Sequence, residues 1–394
     1  MALTLKTKTE ISDFIRGLTL YGVGGGGDPA LGTAKLTEVL EKNGSIEMVD
    51  AESLPDDVLT CCVFGMGSVA PTGSRPGAFG QQVRVTRDPN IRAVQELERL
   101  TGKKISVVVP SETGGLNTAN ALHAGAMLGR VLVDGDYCGH AKPELCQSSP
   151  VLNGTDVMPF AVCDDWGNVV HVVKAASPAA MEALGKQISI ITKAPDRFAV
   201  CAHAGMLMTA AEMKRCLAKG SLSKAARVGR AIREARECGK NPPEAAAEAM
   251  GGRILFKGIV TAMDWESGGY MSGSTYLYGM ESFAGERFKI WFRNENHLAW
   301  RNERPTAMSP DVIAVVDLDT GEPITNSVLK TNDRVAVLGA PHVFCRTAAG
   351  IAAMGPRHYG FEMDYQPIEA LWTTQNDLGS KRSWRRSDGA YHQK

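Results

Sequence analysis

Hydrophobic positions in the first half of the chain alternate between two periods. Ile11, Phe14, Ile15 and Leu18 fall at the i, i+3, i+4, i+7 spacing of an amphipathic helix over residues 9–20. Asp28 followed by Pro29 is a helix-start signal: a capping side chain precedes a residue whose fixed φ suits the first turn. A second helical pattern runs over residues 30–41, and residues 45–50 read as a strand. Residues 58–65 are an apolar run. Helical patterns over 91–101 and 117–128 then alternate with apolar stretches over 104–110 and 130–134, which read as strands buried on both faces. Two more strands are expected over 158–163 and 169–174. This alternation predicts an α/β N-terminal domain, residues 1–170, with a largely parallel sheet.

Beyond residue 170 the pattern changes twice. Helices are expected over 177–185, 209–218 and 221–238. The last carries Lys224, Arg227, Arg230, Arg233 and Arg236 at intervals of three, a cationic face that reads as a solvated or subunit-facing surface. Short strands over 255–263, 269–279, 287–292, 312–318 and 334–338 follow, separated by Gly, Asn or Pro turns. Residues 171–373 are therefore expected to form a mostly-β second domain carrying a helical insertion. Residues 374–394, with Lys381, Arg382, Arg385 and Arg386, read as a basic mobile tail.

Composition narrows the function classes. The 394 residues hold 43 basic and 43 acidic side chains, so no overall charge favours nucleic acid or an anionic membrane. No apolar run reaches the ~18 residues of a membrane span, and the start lacks a secretory leader. Nine cysteines without regular spacing fit reduced thiols in a cytoplasmic protein. A homo-oligomer is expected.

Chemistry concentrates in the turns. Gly22-Val-Gly-Gly-Gly-Gly27 formally matches a dinucleotide fingerprint, but a helix precedes it and Asp28 puts negative charge where a pyrophosphate would sit. A backbone-lined loop for close approach, through Gly25 and Gly26, or a strained turn fits better. Asp134, Asp136, Cys138, His140 and Glu144 lie within eleven residues after a buried strand. Such a cluster can bind a transition metal or supply acid–base groups; turn-capping aspartates beside a surface histidine are the alternative. Cys201-Ala-His203 is a weaker pair, equally consistent with packing. Asn294-Glu-Asn-His297 follows an apolar strand and is flanked by Trp291 and Trp300, as a site would be. His342 and Cys345 form an unspecific further pair. No nucleophile elbow and no H-E-x-x-H is present.

Five motifs in order carry a resemblance. Gly24-Gly-Gly-Gly-Asp-Pro29, Ser111-Glu-Thr-Gly-Gly-Leu-Asn117, Asp134-Gly-Asp136 through Pro143-Glu-Leu145, Phe292-Arg-Asn-Glu-Asn296 and Pro310-Asp-Val-Ile313 make the chain, over about residues 10–370, resemble the S-methyl-thiohydantoin desulfurase-like family. That family was long known as a domain of unknown function beside hydantoinase and oxoprolinase genes. Two departures stand out. Relatives read D-G-D-G-M-G-R-A-F-P-E-L where this chain has Cys138 and His140 in place of Met and Arg, and N-E-N-L where it has His297.

The resemblance implies hydrolysis of an S-methyl thiohydantoin to a hydantoin and methanethiol, with a cyclic amide or thiohydantoin as substrate. A Zn²⁺ ion, or another divalent transition metal, would make hydroxide available near neutral pH. On this reading Asp136, His140 and His203 or His297 hold the metal, with Cys138 a further ligand. Glu144 or Glu295, and Asp134 beside them, supply acid–base groups. Asn117, Asn294 and Asn296 hydrogen-bond the ring amides over Gly25 and Gly26, and Arg75 or Arg357 takes any carboxylate tail. A metal-free hydrolase or isomerase of a cyclic amide, or a non-catalytic partner of a hydantoinase or oxoprolinase complex, are the alternatives.

Overall fold

The structure is a computed structural model that describes residues 3–67, 85–86, 88–191, 200–267 and 269–372. Arg75 and the expected tail over 374–394 lie outside the described residues. Among these, ten strands precede residue 220: β1 (Leu3–Leu5), β2 (Ile46–Val49), β3 (Leu59–Gly67), β4 (Val107–Pro110), β5 (Val131–Val133), β6 (Gly135–Asp136), β7 (Phe160–Cys163), β8 (Val169–Val172), β9 (Val200–Thr209) and β10 (Ala218–Lys219). Eight of them form one sheet in the order β1-β2-β5-β4-β3-β9-β7-β8, while β6 and β10 pair with each other.

Only the middle of this sheet is parallel. β2, β5, β4 and β3 run together, because helices Pro89–Thr101 and Asn117–Met127 provide the crossovers that parallel neighbours need. β1, β9, β7 and β8 pair antiparallel. The sheet also runs past the expected boundary at residue 170, since β9 returns between β3 and β7. Its sequence, Val-Cys-Ala-His-Ala-Gly-Met-Leu-Met-Thr, is buried on both faces and has neither period, which is why it was not legible as a strand.

Seven further strands, β11 (Arg253–Ser267), β12 (Met271–Gly279), β13 (Arg287–Arg293), β14 (Glu295–Arg301), β15 (Arg304–Met308), β16 (Val312–Asp317) and β17 (Arg334–Ala340), form an antiparallel sheet. Its order is β15-β14-β13-β12-β11-β17-β16. The mostly-β second domain with helices is thus present, although β14 and β15 were not anticipated.

Three helices, Lys8–Tyr21, Ser221–Glu237 and Pro242–Met250, lie between the sheets. One continuous core joins Phe14 and Leu18, Val228 and Ile232 to Leu5 and Met48 of the first sheet and to Val312, Val316 and Leu338 of the second. The first two helices cross backbone to backbone. A Cβ on Gly17 would lie 1.8 Å from the Ala225 carbonyl oxygen, and one on Gly229 would lie 1.7 Å from that of Asp13. The cationic face serves the same contact. Arg233 pairs with buried Asp13 at 2.9 Å and Arg236 with Glu322 at 2.6 Å, while Arg227 and Arg230 stay exposed. No described helix is long and apolar enough to cross a membrane.

Replacing Gly229 by Leu forces these helices apart. We expect a loss of at least about 1–3 kcal/mol of stability, read as a lower urea midpoint at unchanged slope. A variant as stable as the parent would refute the close crossing.

Candidate functional site

The segment after β6 is held by two aspartates. Oδ1 of buried Asp136 accepts hydrogen bonds from the backbone N–H of Cys138 (2.7 Å) and Gly139 (2.6 Å). Its Oδ2 accepts from the hydroxyls of Thr113 (2.7 Å) and Ser221 (2.5 Å). Burial still pushes the Asp136 carboxyl above its ordinary value against these donors. Asp134 accepts from the Ser223 N–H at 2.9 Å and its hydroxyl at 2.5 Å. Both aspartates therefore tie the loop to the start of helix Ser221–Glu237. The oxygens that the metal and acid–base readings required are occupied.

The loop presents Cys138 and His140 to the second domain. Cys138 Sγ lies 4.0 Å from His140 Nδ1 and 4.0 Å from Sγ of Cys345. The ligand atoms of the three buried residues all fall within 4.8 Å of one another. Ligands at Zn–S of about 2.3 Å and Zn–N of about 2.0–2.1 Å around a tetrahedron sit roughly 3.5–4 Å apart, so this group fits a metal with little movement. His140 Nδ1 is 2.6 Å from the Ala141 carbonyl oxygen, and its buried Nε2 has no partner. His342 donates from Nε2 to the Cys138 carbonyl at 2.7 Å and packs its ring 4.6 Å from that of His140. Burial and the charge of His140 pull His342 down to about 3, so it stays neutral. Burial works against charge on His140 as well, but the Cys138 sulfur outweighs it and draws the imidazole up to about 9. Burial likewise opposes a Cys138 thiolate, yet the Cys345 S–H and His140 hold that thiol well below its usual range.

Beside this group lies a buried acid. Glu295, on β14, is pushed well above the usual carboxylate range by burial first and by the charge of Glu112 second. Its Oε2 has no partner. A Cβ on Gly25 would lie 1.9 Å from its Oε1, so the glycine-rich loop can lie over Glu295 only because position 25 has no side chain. Glu112 accepts from Asn117 Nδ2 at 2.7 Å and from the Lys142 N–H at 3.1 Å, with the Lys142 ammonium 3.3 Å away. Burial disfavours charge on Lys142, but Glu112 more than restores it.

The remaining candidates make the following contacts. Asn117 also receives the Gly65 N–H at 3.0 Å. Asn294, at φ 57°, closes the turn into β14 and accepts the Met271 N–H at 2.9 Å. Asn296 donates to the Ile313 carbonyl at 3.1 Å and accepts from Asn326 at 3.0 Å. The Gly26 carbonyl accepts from the N–H of Leu116 (2.9 Å) and Asn117 (3.2 Å). Glu144 accepts from Arg293 (3.2 Å) and meets His358 at 2.8 Å. Burial would raise Glu144, but His358 and Arg293 pull it down to about 2, making it a weak base. Arg357 pairs with Asp364 at 2.6 Å on the surface.

Of the five residues put forward as ligands, Cys138 and His140 come together. Asp136 is spent as described. His203 stacks on Phe64 at 5.3 Å, contacts the Cys201 carbonyl at 3.1 Å, and is pulled to about 4 by burial. His297 packs its ring 4.1 Å from that of Tyr359, tilted by 31°, and leaves Nδ1 unpartnered. Burial and the nearby charge of His140 bring it to about 3. Cys345 joins the group instead, and Glu112 and Lys142 join Glu295. Cys345 is 207 residues from Cys138, and no spacing signals that contact. Glu112 lies in the Ser111–Asn117 motif, and nothing in its spacing sets it apart from its neighbours.

The family model for the S-Me-THD-like N-terminal domain matches residues 9–174, and that for the S-Me-THD-like C-terminal domain matches residues 178–368. The chain belongs to the S-Me-THD-like family. No curated protein matches it. A crystal structure of a protein from Chromobacterium violaceum, a structural-genomics target, is similar in fold, with a TM-score of 0.71 and 21% identity over 93% of this chain and 100% of that one.

The Glu144 cluster has a pH signature. A carboxylate held near 2 adds stability above the ordinary value of 4.5 and loses it as pH falls through 2. Glu144→Gln is therefore expected to cost on the order of 2 kcal/mol at pH 7, with the difference closing across the acid limb. Urea unfolding at several pH values tests this; a pH-independent difference would remove the ion-pair account.

Proposed function

We propose that this member of the S-Me-THD-like family hydrolyses the C–S bond of an S-methyl thiohydantoin, releasing a hydantoin and methanethiol, with a divalent transition metal such as Zn²⁺ held by Cys138, His140 and Cys345. The observation that carries the proposal is the meeting of two thiols and an imidazole from both domains, buried beside an unpartnered carboxyl. Thiolate and imidazole donors suit a borderline-soft ion such as Zn²⁺ rather than Mg²⁺ or Ca²⁺. When bound, such an ion lowers the pKa of its water to about 7.

The chain's own groups divide the remaining work. The ring carbon is bonded to two nitrogens and the sulfur; water adds there, and the C–S bond breaks with the electron pair leaving on methanethiolate. A thiolate leaves with little help, since thiols ionise near ~8.5. Protonation of a ring nitrogen makes the carbon more electrophilic. Glu295, whose carboxyl is pushed well above the usual carboxylate range by burial and by the charge of Glu112, is the group proposed to hold and deliver that proton. Glu144, at about 2, is too weak a base for this role and instead fixes Arg293. His342 holds the Cys138 carbonyl and so keeps the loop from turning its thiol away.

Methanethiol release, followed with a thiol reagent alongside metal content, tests this reading. Chelation is expected to abolish release and Zn²⁺ to restore it. His140→Ala and Cys345→Ala should each lose both the metal and turnover while keeping the fold. Glu295→Gln should keep the metal but lose about 10²–10⁴ in rate. Full release after exhaustive chelation would remove the metal from the mechanism. No release from the metal-loaded chain would refute the substrate assignment.

A further inference from the structure

The two sulfurs that meet across the domain interface can do more than hold a metal. Cys138 and Cys345 lie with Sγ atoms 4.0 Å apart, and a disulfide needs about 2.03–2.05 Å, so closure asks each side chain for roughly 1 Å. Neither sulfur is locked into the polar frame. Both pack in a small apolar cluster with Met354, Leu152 and Ala353, and Cys345 Sγ makes a loose contact of 3.4 Å to the Cys138 carbonyl. The turn carrying Cys345 opens outward: Val343 is 73% exposed and Phe344 36%, which gives a small oxidant a short path. Cys61 and Cys62 are neighbours on β3 and pack on opposite faces of the sheet.

We propose that Cys138 and Cys345 form a redox-modifiable pair that a peroxide converts into an interdomain disulfide, in competition with metal on the same sulfurs. One sulfur attacks a peroxide oxygen, the O–O bond breaks, and the first water leaves carrying the thiol proton. The second sulfur then displaces the remaining hydroxyl, which departs as water with the second thiol proton. Two thiols are oxidised by two electrons and hydrogen peroxide is reduced to two waters. The competition rests on the metal reading above; the cross-link does not.

The test uses the full chain, first stripped with a chelator and then treated with hydrogen peroxide, alkylated, digested and mapped by mass spectrometry. A Cys138–Cys345 linked peptide is expected, with loss of two alkylatable thiols at these positions and their return on reduction with dithiothreitol. Cys345→Ser should remove the linked peptide. Prior loading with Zn²⁺ should slow its formation at least tenfold. Recovery of both cysteines as free thiols or as sulfinic and sulfonic acids, while exposed Cys238 is oxidised, would overturn the pair. A linked peptide that forms equally fast with Zn²⁺ present would overturn the competition and count against the metal reading.

Discussion

A carboxyl group cannot be buried away from water without hydrogen-bond donors, and Asp136 takes four of them from three separate stretches of chain. Two are the N–H groups of Cys138 and Gly139, one is the Thr113 hydroxyl of the loop after β4, and one is the Ser221 hydroxyl that opens helix Ser221–Glu237. Moving the loop would orphan several of these groups together, at about 1–3 kcal/mol for each buried polar atom left unpaired. Cys138, His140 and Lys142 therefore inherit fixed positions from Asp136, whose two oxygens are taken up by these donors. The same bond network reaches the helix crossing. Ser221 and Ser223 sit at the start of the helix whose Gly229 touches the first helix backbone, so domain packing and loop geometry are set by one contact chain.

The proposed site falls where residues of the two sheets meet. Neither domain holds a complete site: Cys138, His140, Glu112 and Lys142 come from loops of the first sheet, and Glu295, His297, His342 and Cys345 from the second. The glycine-rich loop lies between them. Its Val23 carbonyl accepts the Asn296 N–H at 2.7 Å and its Gly24 carbonyl the Asn326 N–H at 2.8 Å, while Gly26 receives the loop of Leu116 and Asn117. Low exposure on all sides makes the electrostatics strong. Burial first, and then the charge of Glu112 reaching it through little solvent, push the Glu295 carboxyl well above the usual carboxylate range.

Much of the frame was legible in the sequence because its elements are amphipathic or capped. The helix over Lys8–Tyr21 follows the helical period, Asp28–Pro29 caps the start of the next, and β4 and β5 are short valine-rich apolar runs bounded by turn residues. β9 was not legible, since a strand buried on both faces and rich in Ala, Gly and Met has no alternation to read. The site divided the same way. Local clustering pointed to Cys138, His140 and Glu295, but the role of Asp136 depended on donors contributed by residues 113 and 221. Cys345 depended on a tertiary contact that no local spacing encodes. Asn294 and Asn296 looked like binding groups because polar side chains at a strand end often are; here their amides close a turn and brace two backbones.

The motifs and the departures from them do different physical work. Asp311, in the Pro310–Ile313 motif, accepts from the His342 N–H, Arg346, the Tyr365 hydroxyl and the Ile368 N–H, all at 2.9 Å. Asp136, Asn117, Asn296 and the glycines likewise spend their polar atoms, or their missing side chains, on one another. These motif residues spend their polar atoms on the frame, whereas Glu295, in the Phe292–Asn296 motif, keeps an unpartnered Oε2. His140 and His297 replace Arg and Leu and keep an unpartnered buried nitrogen each. Cys138 replaces Met and brings a second sulfur to within 4.0 Å of Cys345. An arginine at 140 would carry a permanent charge and no lone pair, and a methionine at 138 would offer only a weak thioether. Arginine and methionine at these two positions could not supply this donor set, so the metal proposed for this chain depends on Cys138 and His140, next to the motif acid Glu295.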